Sequence, residues 1–307
     1  MAALRDVTFE GLGGAQTLRV AEAPREDAPI VAVAPALGMR ASWYEELAAA
    51  LVARGAHAAL VEWPGLGTSP IRPGRGRDWG YAALLDHLAA ARTAARTALP
   101  RASRFAWLGH SIGGTIALMD AGRSRAGDAG RSRAGDAGRS RAGDAGRSRA
   151  GDAGRSRVVD AVILVASGTP YLRSWDGRMR LQLFVASQIF PVAGRVLGYH
   201  DGRLGFGGRE ARTLMKEWSH LTRHGVWKVE GADLEAHLRA CESPVLAVGL
   251  EGDDWAPSAA TEHLLSKIGS HAIERCTWSS GLDHPHVRWP KRPAHAADLA
   301  VHFVERV

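Results

Sequence analysis

Phe105-Ala106-Trp107-Leu108-Gly109-His110-Ser111-Ile112-Gly113-Gly114 runs an apolar, strand-like stretch directly into a serine framed by glycines, and a small-residue helical pattern follows. A G-x-S-x-G turn holds its serine in a strained bend between strand and helix, where glycines remove the Cβ atoms that would clash. The hydroxyl is thereby lifted clear of the sheet edge. The amide of Ile112, at the mouth of the following helix, then faces any oxyanion that forms on an attacked carbonyl. The pentapeptide alone also fits an ordinary strand-to-helix connection, so the reading depends on the rest of the chain.

Working outward, the strand signals alternate with helical ones. Val7 to Glu10 and Thr17 to Ala21 read as a hairpin around Gly11, Gly13 and Gly14, and Ile30 to Ala34 reads as a buried strand. Ser42-Trp43-Tyr44-Glu45 has the form of a capping box opening a helix that runs to about Arg54 and stops at Gly55. His57 to Glu62 is strand-like, Pro64-Gly65-Leu66-Gly67 is a turn, and Tyr81 to Leu99 is an alanine-rich helix with leucines on one face. Arg104 to Leu108, Val158 to Ala166, Val245 to Leu250 and Ile273 to Trp278 complete the set. Short apolar strands alternating with helices predict a mainly parallel sheet covered on both faces.

From Thr169 to Ala240 this alternation breaks. Helical stretches there carry Leu181, Phe184, Ile189, Phe190, Leu214, Trp218 and Trp227, and the segment reads as an insertion. Such residues can pack onto the main domain, and as a lid over the serine they would also give an apolar substrate cavity.

A nucleophilic serine needs a base, and the base needs an orienting carboxylate. After the strand Val245 to Leu250 comes Glu251-Gly252-Asp253-Asp254-Trp255-Ala256-Pro257, and after the next strand comes Gly281-Leu282-Asp283-His284-Pro285-His286. Both loops leave the carboxyl ends of parallel strands, as the serine turn does, so all three face one crevice. The last loop could also be read as a metal cluster, but no further ligands follow at metal-like spacing.

With these residues in hand, the chain resembles the α/β-hydrolase superfamily, most closely its cytoplasmic esterase/lipase-like group with a helical cap before the acid-bearing strand. The resemblance covers nearly all of the sequence outside an octapeptide repeat. It implies a twisted, mainly parallel sheet of about eight strands, with residues 1–168 and 241–307 forming one core and 169–240 the cap. Within that pattern the acid precedes a proline by four residues, which selects Asp253 over Asp254, and the first histidine after the glycine turn, His284, is preferred to His286. The family's turn after the strand preceding the first long helix supplies a second oxyanion amide. Here it reads Pro35-Ala36-Leu37-Gly38-Met39, with leucine in place of the usual histidine, and the resemblance assigns the donor to Met39 beside Ile112. His110 and His57 are expected to be packing residues.

Composition narrows the partners. The chain has 307 residues, 46% of them hydrophobic, enough for a sizeable core. Cys241 and Cys276 form no C-x-x-C, so neither a disulfide framework nor a thiolate metal site is expected. The N-terminal residues lack the apolar run of a signal peptide, and no apolar run reaches membrane-spanning length, so a cytoplasmic location is expected.

The net charge of +7 has a local source. From Ala121 to Arg157 the octad A-G-R-S-R-A-G-D occurs four times and is followed by A-G-R-S-R, a segment with ten Arg and four Asp that leaves 29 basic and 28 acidic residues elsewhere. It has no aromatics for base stacking, its charge is diluted by Gly and Asp, and nucleic acid is not an expected partner. Two glycines per octad each cost a helix about 1 kcal/mol relative to alanine, so a flexible surface insertion is expected.

The sequence therefore predicts a serine hydrolase acting on a small, apolar carboxylic ester without a cofactor. Two other readings stay open: an acyltransferase or amidase using the same residues, and a non-catalytic ligand-binding relative.

Overall fold

The computed structural model describes residues 3–137, 158–204 and 207–307, with side chains described outside 126–137 and 204. Strands β1 (Arg5–Gly11) and β2 (Gly14–Ala21) form the hairpin, closed by Gly11 opposite Gly14. They are followed by β3 (Ile30–Ala34), helix α1 (Glu45–Val52), β4 (His57–Val61), α2 (Tyr81–Ala98), β5 (Phe105–His110), α3 (Ile112–Ala137) and β6 (Ala161–Val165). Next come α4 (Gly177–Leu197), the short strands β7 (Tyr199–His200) and β8 (Glu210–Ala211), α5 (Arg212–His224) and α6 (Leu234–Arg239). Then β9 (Val245–Leu250), α7 (Ser258–Leu265), β10 (Ile273–Trp278), the one-turn α8 (Pro285–Arg288) and α9 (Ala294–Arg306) close the chain.

Eight strands make one sheet in the order β1-β2-β4-β3-β5-β6-β9-β10. Only β2 runs against its neighbours; β4, β3, β5, β6, β9 and β10 are parallel. Every residue of β3, β4, β5 and β6 is buried, which is what a parallel sheet covered on both faces demands of its strands.

Alternate residues serve opposite faces. Ala32, Trp107, Val162 and Ala247 pack under α2 and α3, while Val33, Leu108, Ile163 and Val248 pack under α1 and α9. On the first face a charge is buried with its partners: Asp120 accepts from Arg92 Nε at 2.7 Å and from Trp107 Nε1 at 2.9 Å. Burying a carboxylate is tolerable only when its oxygens are satisfied in this way.

The strand order places β4 on one side of β3 and β5 on the other, so the chain reverses its winding between β3 and β5. A crevice opens at such a reversal, outside the carboxyl ends of the strands. The turns that follow β3 and β5 face it.

The Ser42–Glu45 capping box does not form. Ala41–Tyr44 is a 3₁₀ turn, no side chain caps α1, and Glu45 pairs with Arg19 of β2. A guanidinium within reach competes successfully with a single backbone amide, since a charge-assisted bond is the stronger of the two. The first part of the octad repeat continues α3 as far as Ala137. The expectation of a flexible insertion otherwise falls on 138–157, outside the described residues. Among the described residues, no helix is long and apolar enough to cross a membrane.

Candidate active site

Ser111 stands between β5 and α3 with φ 55°. A non-glycine residue in this left-handed region costs on the order of 1 kcal/mol, and its neighbours make the bend obligatory. A Cβ on Gly109 would collide with the backbone of Gly114, and one on Gly113 would strike the carbonyl oxygen of Ala34 at the end of β3. The glycines thus let α3 press against the β3 turn. The Ser111 amide donates to Val165 O at 3.1 Å, which fixes the bend to β6.

Asp253 follows β9 in a tight turn, and its side chain is fully buried. One carboxylate oxygen accepts from the amides of Trp255 at 2.8 Å and Ala256 at 3.1 Å. The other lies 2.8 Å from His286 Nδ1, and His286 Nε2 lies 3.2 Å from Ser111 Oγ. With the carboxylate accepting, Nδ1 carries the proton and Nε2 is left to accept from the serine hydroxyl. Asp254 is exposed, and its carbonyl accepts from Trp175 Nε1 at 2.9 Å.

The structure corrects the choice of histidine. The imidazole that bridges Asp253 and Ser111 is His286, while His284 is exposed. His284 sits at φ 55°, ψ 59° and caps α8, which begins at the buried Pro285. That reversal sends residue 284 outward and brings residue 286 in. No spacing rule distinguishes two histidines in Asp-His-Pro-His; a proline poised to start a helical turn is the one signal available.

The second amide is also corrected. Met39 N donates to Ala36 O at 3.1 Å, closing its own turn. Leu37 instead lines the cavity with Ser111 and Ile112, and its amide has no hydrogen-bond partner among the described residues. The turn is braced by side chains that spacing could not reveal. Trp63 Nε1 donates to Pro35 O at 2.8 Å, and the Ala36 amide donates to Tyr44 Oη at 3.1 Å.

Tyr44 Oη lies 2.7 Å from His110 Nδ1, and the His110 ring packs 5.1 Å from that of His286. The same Tyr44 hydroxyl accepts from the Ala36 amide and lies 3.5 Å from Met39 Sδ, so it joins three segments at one point. Burial holds His110 well below the usual imidazole pKa, so this ring is neutral. His110 and Tyr44 therefore tie the serine bend, the β3 turn and the His286 loop into one buried unit. His57 packs as a structural residue, its Nδ1 accepting from the Ala23 amide at 3.0 Å.

A cavity opens over Ser111. Its floor comes from the strand-end turns, and its walls from Trp175, Met179, Leu183, Trp218, Leu221 and Trp227. The wall is fastened to the core by polar contacts. Asp78 accepts from Arg212 Nε at 2.8 Å and from Thr213 Oγ1 at 2.6 Å, and Glu217 accepts from the Tyr81 amide at 2.7 Å.

Residues 25–128 match the family model of the serine aminopeptidases, S33. Among solved structures, the chain is similar to an esterase domain from Rhodothermus marinus (16% identity, 99% of this chain and 98% of that one, TM-score 0.56). It is also similar to the thioesterase domain of the curacin biosynthetic pathway (14% identity, 97% and 99%, TM-score 0.57). A third likeness is to a structure described with two metagenome-derived lipolytic enzymes, LipS and LipT (15% identity, 92% and 95%, TM-score 0.54). A comparison with curated protein sequences finds no match.

Proposed function

On the premise that the chain is an α/β-hydrolase by fold, we propose that it is a serine hydrolase that cleaves a carboxylic ester of a small, apolar substrate through an acyl-enzyme. The observation that carries this reading is the unbroken relay from Asp253 through His286 to Ser111.

In the proposed reaction Ser111 Oγ attacks the ester carbonyl while its proton passes to His286 Nε2, forming the tetrahedral intermediate. Asp253, locked by the two amides of its own turn, keeps the imidazole in the tautomer that can accept and stabilises the imidazolium. The amides of Leu37 and Ile112 bind the developing oxyanion. Donors of this kind are each worth on the order of 10² to 10³ in rate. His286 then protonates the departing alcohol, and the same base activates water to release the acid. Residues 169–240 act as the cap in this reading, and their tryptophans supply apolar surface for the acyl or alkyl group.

The test is hydrolysis of p-nitrophenyl esters of graded acyl length, together with labelling by a fluorophosphonate. Ser111→Ala is expected to lose both while keeping the wild-type melting temperature. Labelling retained by this variant would assign the nucleophile elsewhere, and absence of turnover in the wild type across the series would remove the ester reading.

A further inference from the structure

The geometry points to the outer face of α4 as a docking surface for an anionic lipid bilayer. Helix α4 has two apolar sides. The inner one is accounted for: Leu183 and Phe190 are buried, and Met179 and Leu183 line the cavity over Ser111. The outer one carries Leu181, Phe184, Val185, Ile189, Val192 and Val196, each 44–63% exposed. Their spacing sets them on one side of a helix, as a ridge along its length. Soluble monomers seldom leave a contiguous apolar surface of this kind facing water.

Charge identifies the occupant. Between Gly177 and Leu197 there is no Asp or Glu, and the charged residues are Arg178, Arg180 and Arg195. All three are exposed, at the two ends of the ridge, and none makes an ion pair with a carboxylate of the described residues. An apolar ridge bounded by guanidinium groups is the pattern of a helix lying in the plane of a membrane interface. Its side chains enter the acyl boundary while the arginines meet lipid phosphates. A second copy of this chain is the poorer occupant, because a two-fold contact through α4 would bring like charges together. The helix would lie on the bilayer and not span it. This inference does not depend on the chemistry at Ser111.

The experiment is cosedimentation of the full chain with vesicles of phosphatidylcholine alone and of phosphatidylcholine mixed with phosphatidylglycerol. Wild type is expected to pellet with the mixed vesicles only. Arg178→Gln/Arg180→Gln/Arg195→Gln should lower the partition coefficient on the order of 100-fold, given roughly 1 kcal/mol per basic residue at an anionic surface. Phe184→Asp/Ile189→Asp, which keeps the arginines, should also abolish pelleting. Thermal melts confirm that each variant is folded, and serine replaces aspartate should the charges unfold α4.

Wild type failing to pellet overturns the inference. So does full pelleting of either variant, which would place the attraction elsewhere, on the arginines of the octad repeat for example. A dimer by sedimentation equilibrium that Phe184→Asp/Ile189→Asp dissociates, without vesicle binding, would give the face to a second copy.

Discussion

Two histidines two residues apart give the sharpest test of the proposed chemistry. His286→Ala removes a ring that is 13% exposed and that spans Asp253 and Ser111 through contacts of 2.8 and 3.2 Å. His284→Ala removes an exposed ring whose backbone merely caps one helical turn. Without the base, Ser111 must lose its proton to water. Losing one member of such a relay lowers kcat by about 10⁴- to 10⁶-fold, or roughly 5 to 8 kcal/mol in the barrier at about 1.4 kcal/mol per tenfold. Surface truncation at 284 should stay within about 0.5 kcal/mol, near twofold in rate. The assay is initial-rate hydrolysis of a short p-nitrophenyl ester, with melting temperatures as the control for folding. If His284→Ala loses activity a hundredfold while His286→Ala stays within tenfold of wild type, the relay described above is wrong.

One further outcome follows from a buried group outside the relay. Burial pushes Glu210 up to about 7 from an ordinary 4.5, although its carboxyl accepts from the Gly208 amide at 3.0 Å. Between those values the folded protein holds a proton that the unfolded chain has lost, so this group lowers stability as pH rises from about 4.5 to 7. Glu210→Gln should therefore gain on wild type across that window, by up to about 3 kcal/mol, in urea unfolding at pH 4.5 and pH 8. The difference between the two proteins is the readout, because His87, held down to about 4 by burial, has the opposite slope between about 4 and 6.5. A difference that does not vary with pH would contradict the assignment.

Deleting four octads, residues 121–152, leaves Asp120 followed by Ala-Gly-Arg-Ser-Arg and then Val158. Ser124 Oγ already accepts from the Val159 amide at 3.3 Å, so the equivalent serine would stand three residues before that amide, within reach of a local turn. The deletion should keep the wild-type melting temperature and turnover; an insoluble or inactive product would show that the repeat supports the fold.

Much of this molecule was legible along the chain. Val245–Leu250 is a strand because its residues suit a buried pleat, Ile273–Trp278 is the edge strand beside it, and chain order sets the serine, the acid and the histidine loop at the ends of β5, β9 and β10. Ser111 was reachable because its bend requires glycines at fixed offsets, and Asp253 because the family resemblance sets the acid four residues before a proline, here Pro257. What the sequence could not supply were choices between near neighbours. Whether residue 284 or 286 faces the serine depends on the left-handed backbone at His284. Whether Leu37 or Met39 offers its amide depends on a turn braced from afar by Trp63 and Tyr44. Glu45 gave up its cap because Arg19, distant in sequence, lies beside it on the folded sheet. Periodicity and spacing are local and act through the backbone, so the sequence determined the elements and their order. Direction of a side chain and availability of an amide are settled by packing between remote segments, and only the tertiary structure decided those.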